Sequence, residues 1–286
     1  MKIGSRDSKL AVLQAQEVIK ALGIPCELIT MKTTGDMILD RTLDKVGGKG
    51  LFVKELDKAL MDGRVDLTVH SLKDVPMEQP DGFPLVAYSK REDARDVLVL
   101  PEGVDTLDPQ KPIGCSSARR RVQLKKLFPD IEIKPVRGNL QTRLKKLDSG
   151  EYGALVLAAA GLHRLGLKNR ISRYFSTDEM LPSAGQGILA VQGKLNTFTH
   201  ILDKVNDQIS EACAIAERSC VAELGGSCFA PIAAYATIEN DEITLRVMYS
   251  SDDESKLLYT QDSAKISDAK QLGIRLAQKV KKEMQF

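Results

Sequence analysis

Three short stretches of this chain combine residue types that can do chemistry. In "GCSSARRR", Gly114–Arg121, three arginines follow two serines that can cap a helix. Arg119 and Arg120 then fall in a first helical turn, where free backbone N–H groups already favour an anion and a cation is out of place unless something negative compensates it. Arginine also grips carboxylate or phosphate through two parallel hydrogen bonds. In "HSLKDVP", Lys73 and Asp74 sit at a strand end just before the Val75-Pro76 break. An isolated Lys-Asp pair is usually a salt bridge or a cap; facing arginines, the aspartate can hold a cation while the arginines hold the anionic ends of the same molecule. In "LGGSCFAPIAAYA", Leu224–Ala236, a single thiol, Cys228, stands on a glycine- and proline-marked loop. Free cysteine usually packs as a small hydrophobe, but a loop of small residues offers little core. The sharper reading is a thiol that tethers something lying among the arginines.

Residues 111–146 hold eleven Lys and Arg and only two acids, Asp130 and Glu132. The lysines read as a solvated helix face and the arginines as anion-binding. The anion can be nucleic acid, a phosphate ligand or a polycarboxylate. "VGGKGLF" resembles a phosphate loop but lacks the Gly-Lys-Ser/Thr ending, so it reads as a mobile loop without a nucleotide.

The elements that must position these groups alternate strand and helix. "MKIGS", "CELITMKT" and "DLTVHSL" read as strands; "SKLAVLQAQEVIKALG", capped by Ser8 and stopped by Gly23, and "GLFVKELDKALMDG" read as helices. Residues 111–164 repeat the order: strand "KPIGCSS", helix "SARRRVQLKKLF", strand "IEIKPV", helix "LQTRLKKLDSG", strand "GALVLAAAGL". Two tandem β/α units predict sister domains over a cleft, with ligands beyond the carboxyl ends of the strands. "KREDARDVLV" and "LPSAGQGILAVQ" look like crossing segments. After about residue 209 a helix, three strands and a final amphipathic helix predict a small α+β unit carrying Cys228. The expected domains are 1–90 with 187–205, 91–186, and 206–286.

The bulk composition bounds the function. A chain of 286 residues with 43% hydrophobic and 28% charged residues fits a globular protein of several domains. A net charge of +2 carries no polyanion signature, and 5% aromatics with no tryptophan weakens base stacking. No signal segment or long apolar run is visible, so a cytoplasmic location is expected. Five cysteines, an odd number, argue against a disulfide framework, and no Cys-x-x-Cys pair or histidine cluster suggests a metal.

"VGGKGLFVKELDKAL", "VHSLKDVP", "KREDARDVLV", "GCSSARRR", "RGNLQTRLKKLDSGEYGALVLAAAGLHRLGL", "LPSAGQG" and "LGGSCFAP" resemble, in order and across nearly the whole chain, the motifs of the porphobilinogen deaminase (hydroxymethylbilane synthase) family. The resemblance implies a transferase of tetrapyrrole biosynthesis. It joins four porphobilinogen units head to tail with loss of ammonia, and water then releases hydroxymethylbilane. It implies a dipyrromethane cofactor held by a thioether to Cys228, and three domains, the first two like two-domain anion-binding proteins. Every pyrrole bears an acetate and a propionate, which accounts for the arginines without nucleic acid. By resemblance, Asp74 is the catalytic carboxylate, stabilising pyrrole cations. Lys73, Asp74, Ser116, Ser117, Arg119, Arg120 and Arg143 serve the cofactor. Arg6, Ser8, Arg137, Arg143, Arg164 and Gln186 serve the substrate, and Lys49 and Phe52 match a mobile loop at the site. Cys115, Ala118 and the Gly-Ser-Cys ending depart from the usual threonine, leucine and Gly-Gly-Cys. A monomer without metal, nucleic acid or membrane is expected. The rival reading is a non-catalytic two-domain anion binder, which gives Cys228 no role.

Overall fold

The computed structural model describes residues 1–37, 50–226, 230–251 and 253–285. The expected first helix forms as α1 (Lys9–Leu22), and its ends show why. Ser8 Oγ accepts the Ala11 N–H at 3.3 Å, and Gly23 closes the helix in the left-handed region at φ 66°. Ala11, Gln14, Ala15, Val18 and Leu22 recur on one face and are buried.

That face covers a five-stranded sheet ordered β2-β1-β3-β10-β4. Its strands are β1 (Lys2–Arg6), β2 (Glu27–Met31), β3 (Leu67–Ser71), β4 (Leu85–Tyr88) and β10 (Leu189–Gly193). β1 lies parallel to β2 and β3, and β10 runs antiparallel to β3 and β4. A second sheet, β7-β6-β8-β5-β9, repeats the pattern with β5 (Asp96–Val99), β6 (Ile113–Gly114), β7 (Ile133–Lys134), β8 (Ala154–Ala158) and β9 (Arg173–Tyr174). β6 is parallel to β7 and β8, and β5 is antiparallel to β8 and β9. The tandem reading therefore holds at the level of topology. Each sheet takes its fourth strand from the segments expected to cross, "KREDARDVLV" and "LPSAGQGILAVQ".

Helices α2 (Lys54–Met61), α3 (Ala118–Leu127) and α4 (Leu140–Asp148) fall within the helical segments read from the sequence. "GALVLAAAGL" is not a single strand: β8 ends at Ala158 and α5 (Ala159–Arg164) begins there. Both halves are buried, so the apolar run gives no period by which to separate them. The short strands β4 and β9 were not anticipated.

The third unit is an antiparallel sheet of β11 (Ile232–Glu239), β12 (Glu242–Ser250) and β13 (Leu257–Lys265) covered by α6 (Gln208–Glu223) and α7 (Ala269–Met284). Gly273, inside α7, is a contact point. A Cβ there would meet the Ala216 carbonyl oxygen at 2.4 Å and the Cys220 nitrogen at 2.9 Å, so the two helix backbones need glycine to approach this closely. Glu217, fully buried in α6, ties this unit to both crossing segments. It accepts from Gly185 N at 2.7 Å, Ala236 N at 2.7 Å and Arg91 Nη2 at 2.8 Å. Among the described residues no helix is long and apolar enough to cross a membrane.

The first sheet also holds a buried histidine. His70 Nε2 lies 2.8 Å from Thr68 Oγ1, and burial pushes its pKa down to about 4, with the Arg6 charge adding to the shift and Gln192 opposing it. An unfolded histidine binds its proton near pH 6.5. Between those values the unfolded state holds more protons, so stability falls as pH drops from about 6.5 towards 4, by about 3 kcal/mol in all. Urea unfolding at pH 4.5 and 7 should show this loss, and His70→Gln should flatten it. An equally steep acid loss in His70→Gln would assign it to other groups.

Candidate active site

The carboxyl ends of β1, β3, β6 and β8 open on one cleft of about 1260 Å³. On the first wall, Ser8 caps α1 and Arg6 ends β1. Arg6 donates to Asp36 Oδ2 at 3.1 Å, pairs with Asp36 Oδ1, and lies 4.4 Å from the Phe52 ring centroid. Burial works against ionisation of Asp36, but Arg6 and Thr33 outweigh it and hold the carboxyl below its ordinary range.

β3 runs into a single 3₁₀ turn, Leu72–Asp74, that sets Lys73 and Asp74 on the same wall. The backbone just beyond is pinned from the third unit: Arg218 donates to the Val75 and Pro76 carbonyls at 3.0 and 2.6 Å. Lys73 Nζ donates to Gln186 Oε1 at 3.3 Å. Burial, aided by the Arg120 charge, pushes Lys73 down to about 8, so it is still mostly a cation at neutral pH but gives up its proton more readily than a free lysine.

The opposite wall is basic. Ser116 Oγ donates to the Val136 carbonyl at 2.6 Å, and Ser117 Oγ caps α3 by accepting Arg120 N at 3.4 Å. Arg120, Arg137, Arg143 and Arg164 all line the cleft. Arg143 donates to the Gly138 carbonyl at 2.8 Å; burial first, then the neighbouring Arg120 and Arg137 charges, push it down to about 10. Arg164 Nε donates to Glu17 Oε2 on α1 at 2.9 Å and so also bridges the two walls. Asp74 faces this wall closely enough for its charge to act on Arg120 and Arg143, as it does on its neighbour Lys73.

Two expected contact residues stand one layer back. Arg119 is 3% exposed, and its guanidinium is spent on Asp96 Oδ2 at 2.8 Å and the Leu181 carbonyl at 2.6 Å. Gln186 is 1% exposed and donates to the Ala94 carbonyl at 2.7 Å and Asp96 Oδ1 at 2.9 Å. Their geometry is that of support for the wall. The hub of that support, Asp96, was missed in the sequence. Fully buried at the start of β5, it also accepts from Arg120 Nε at 3.0 Å and Nη2 at 2.6 Å. Burial opposes its ionisation, but Arg119 and Arg120 win and hold it far below the usual carboxylate range. Its signal was a charged residue opening the wholly buried run "DVLV".

The lysines of α3 are exposed, as expected, and each also meets a residue of the third unit. Lys125 Nζ donates to Glu254 Oε2 at 2.5 Å, and Lys126 Nζ stands 5.3 Å from the Tyr259 ring centroid. Lys49 and Cys228 lie outside the described residues. Pro231, three positions after Cys228, lines the cleft. Of the described cysteines, Cys115, Cys213 and Cys220 are buried, with thiols pushed up by that burial, to about 12 for the last two.

A wall of buried guanidinium groups facing one carboxylate defines a class: a protein that holds a ligand with several carboxylates and can steady positive charge between them. A family model for "Porphobilinogen deaminase, dipyromethane cofactor binding domain" matches residues 1–199, and one for "Porphobilinogen deaminase, C-terminal domain" matches residues 211–282. The chain is 52% identical to porphobilinogen deaminase of Acetivibrio thermocellus, covering 99% of this chain and 98% of the relative. It is 53% identical to that of Ruminiclostridium cellulolyticum, covering 100% and 97%. Among solved structures, it is similar to the second substrate-binding domain of a putative amino acid ABC transporter from Streptococcus pneumoniae, at 14% identity and a TM-score of 0.41, covering 78% of this chain and 97% of that one. The chain belongs to the porphobilinogen deaminase family. Its activity is that of a hydroxymethylbilane synthase, a transferase of tetrapyrrole biosynthesis with a dipyrromethane cofactor. The cleft fits that group: Arg120, Arg137 and Arg143 crowd their charges together on one wall, Arg143 loses proton affinity for it, and carboxylates relieve that repulsion.

Proposed function

We propose that the cleft residues divide the work of condensing four porphobilinogen molecules as follows. Cys228 holds the dipyrromethane through a thioether, and Lys73, Ser116, Ser117, Arg120 and Arg143 hold its carboxylates. Arg6, Ser8, Arg137, Arg143 and Arg164 receive the acetate and propionate of the incoming substrate, with Lys49 and Phe52 on the adjoining loop. Arg119 and Gln186 act by holding Arg120 and Lys73 in place. When bound, the dipyrromethane supplies the free pyrrole carbon at which the chain is extended.

Asp74 accepts hydrogen bonds from substrate pyrrole N–H groups. As the substrate's carbon–nitrogen bond breaks and ammonia leaves with the bonding pair, positive charge develops on that pyrrole, and Asp74 opposes it. The same carboxylate steadies the ring that must lose a proton once the new carbon–carbon bond has formed. The observation that carries this reading is the placement of Asp74 opposite Arg120 and Arg143 across one cleft. The assignment of Cys228 is supported by elimination. Three of the other four cysteines are buried with raised pKa, and the thiolate is the nucleophile. Cys26 is half-buried just before β2 and is not among the residues lining the cleft. We take residues 1–90 with 187–205, 91–186 and 206–286 as three domains of a cytoplasmic monomer that works without nucleic acid or membrane. The carboxylates of the ligand account for the basic wall.

The test is the intact mass of the purified protein. It should exceed the sequence mass by two linked pyrrole units, and Cys228→Ser should fold without them. Cys115→Ser, Cys213→Ser and Cys220→Ser should each keep them. An unmodified wild-type mass would favour the non-catalytic binder, and a loaded Cys228→Ser would move the tether elsewhere.

A further inference from the structure

The third arginine of "SARRR" has a different partner. Arg121 lies on the cleft wall, and so does Glu254 from the turn between β12 and β13. Arg121 donates through Nε at 2.8 Å and Nη2 at 2.6 Å to Glu254 Oε1, while Lys125 holds Oε2. Glu254 is left-handed at φ 58°, its N–H reaches the Ser251 carbonyl at 2.9 Å, and Asp253 accepts from the hydroxyls of Ser251 and Ser255. Burial works against ionisation of Glu254, but Lys125 and Arg121 prevail and keep it anionic.

A carboxylate held by an arginine edge and a lysine, on the wall of a carboxylate-binding cleft, makes the contact that a ligand carboxylate would make. The side chain of Arg121 is 38% exposed and that of Glu254 16%, against 4% and 10% for Arg119 and Arg120 on the fully buried Asp96, so the outer pair is the one open to exchange. We propose that Arg121 and Lys125 form a carboxylate subsite at the edge of the cleft, filled by Glu254 until a carboxylate of the lengthening pyrrole chain displaces it. Each condensation adds carboxylates and no new cation, so a longer product needs cations beyond the inner wall. The exchange replaces one carboxylate by another, and it also frees the β12–β13 turn from α3. The identity of the ligand rests on the function proposed above; the subsite itself does not.

Tricarballylate, a small tricarboxylate, probes the subsite directly. Its affinity for the full-length protein is read from thermal-shift titration at low salt. Glu254→Gln removes the internal competitor and should tighten binding about threefold, the scale of a partly exposed ion pair. Adding Arg121→Gln should reverse the gain. After a limiting pulse of porphobilinogen, intact masses of Glu254→Gln should shift towards longer bound chains, and those of Arg121→Gln towards shorter ones. A lower melting temperature in Glu254→Gln with unchanged tricarballylate affinity would reduce the contact to an interdomain clamp and overturn the subsite. If wild-type protein carries no pyrrole mass, the reading of the ligand fails, and the tricarballylate comparison still decides the subsite.

Discussion

Asp74→Asn should lower the turnover of porphobilinogen by about a hundred- to a thousandfold or more, the usual cost of losing one preorganised contact to a developing charge. Asparagine keeps the size and one acceptor oxygen. It removes the negative charge that Lys73, Arg120 and Arg143 feel, and it turns an N–H donor towards the pyrrole N–H. The split between kcat and KM is the informative readout. Without Asp74 the cleft is more positive, so carboxylate binding should be unimpaired and KM unchanged or lower, while kcat falls. Asp74→Glu keeps the charge but displaces it by a methylene, and should retain more activity than Asp74→Asn. A residue that merely ended the Leu72–Asp74 turn would behave in the opposite way, with a lowered melting temperature and near-normal turnover per folded molecule. Measuring both on one Asp74→Asn sample decides between them, and near-normal turnover would remove Asp74 from the chemistry.

What could be read from the sequence was what local rules govern. α1 was legible from its Ser8 cap, its Gly23 stop and the spacing of its buried face. The tandem units were legible because strand and helix periods alternate twice, and the ends of their strands do meet at one cleft. The arginines of the first helical turn of α3 pointed to an anion, and the fold supplies part of the answer itself: both pair with the buried Asp96, and Arg120 alone of the two also lines the cleft. What escaped was set by long-range packing. "KREDARD" contains three acids, and no local rule tells which one the fold will bury; Asp96 is chosen because its strand pairs with β8 in the middle of a sheet. The demotion of Arg119 from contact to support follows from that choice, since two guanidinium groups converge on one carboxylate. Lys125 and Lys126 are exposed as expected, but their contacts with Glu254 and Tyr259 come from more than a hundred residues away, beyond any local rule. The split of "GALVLAAAGL" was hidden for another reason: burial on all sides erases periodicity.

Asp96→Asn should then be the most damaging change away from the reacting atoms. The Asp96 carboxylate neutralises Arg119 and Arg120 and accepts from Gln186, and Lys73 is hydrogen-bonded to that same Gln186. The carboxamide has one acceptor oxygen for these donors and turns an N–H₂ towards at least one of them. It also leaves two buried guanidinium groups without a counter-charge. Breaking a buried ion pair from one side costs about 3–5 kcal/mol, which in a chain of this size lowers the melting temperature by roughly 10 °C. Stability loss alone would be any buried residue's signature, so a second readout is needed. Arg120 reaches the cleft, and a small anion can replace the missing charge there. Tricarballylate or sulfate should therefore raise the melting temperature of Asp96→Asn more than that of the wild type. Arg119→Lys offers the milder comparison. It keeps the charge, but a single ammonium replaces the fork that spans Asp96 and the Leu181 carbonyl. It should weaken loading of the pyrrole mass with a smaller drop in melting temperature than Asp96→Asn. If Asp96→Asn melts like the wild type and carries the full pyrrole mass, Asp96 does not hold the basic wall together.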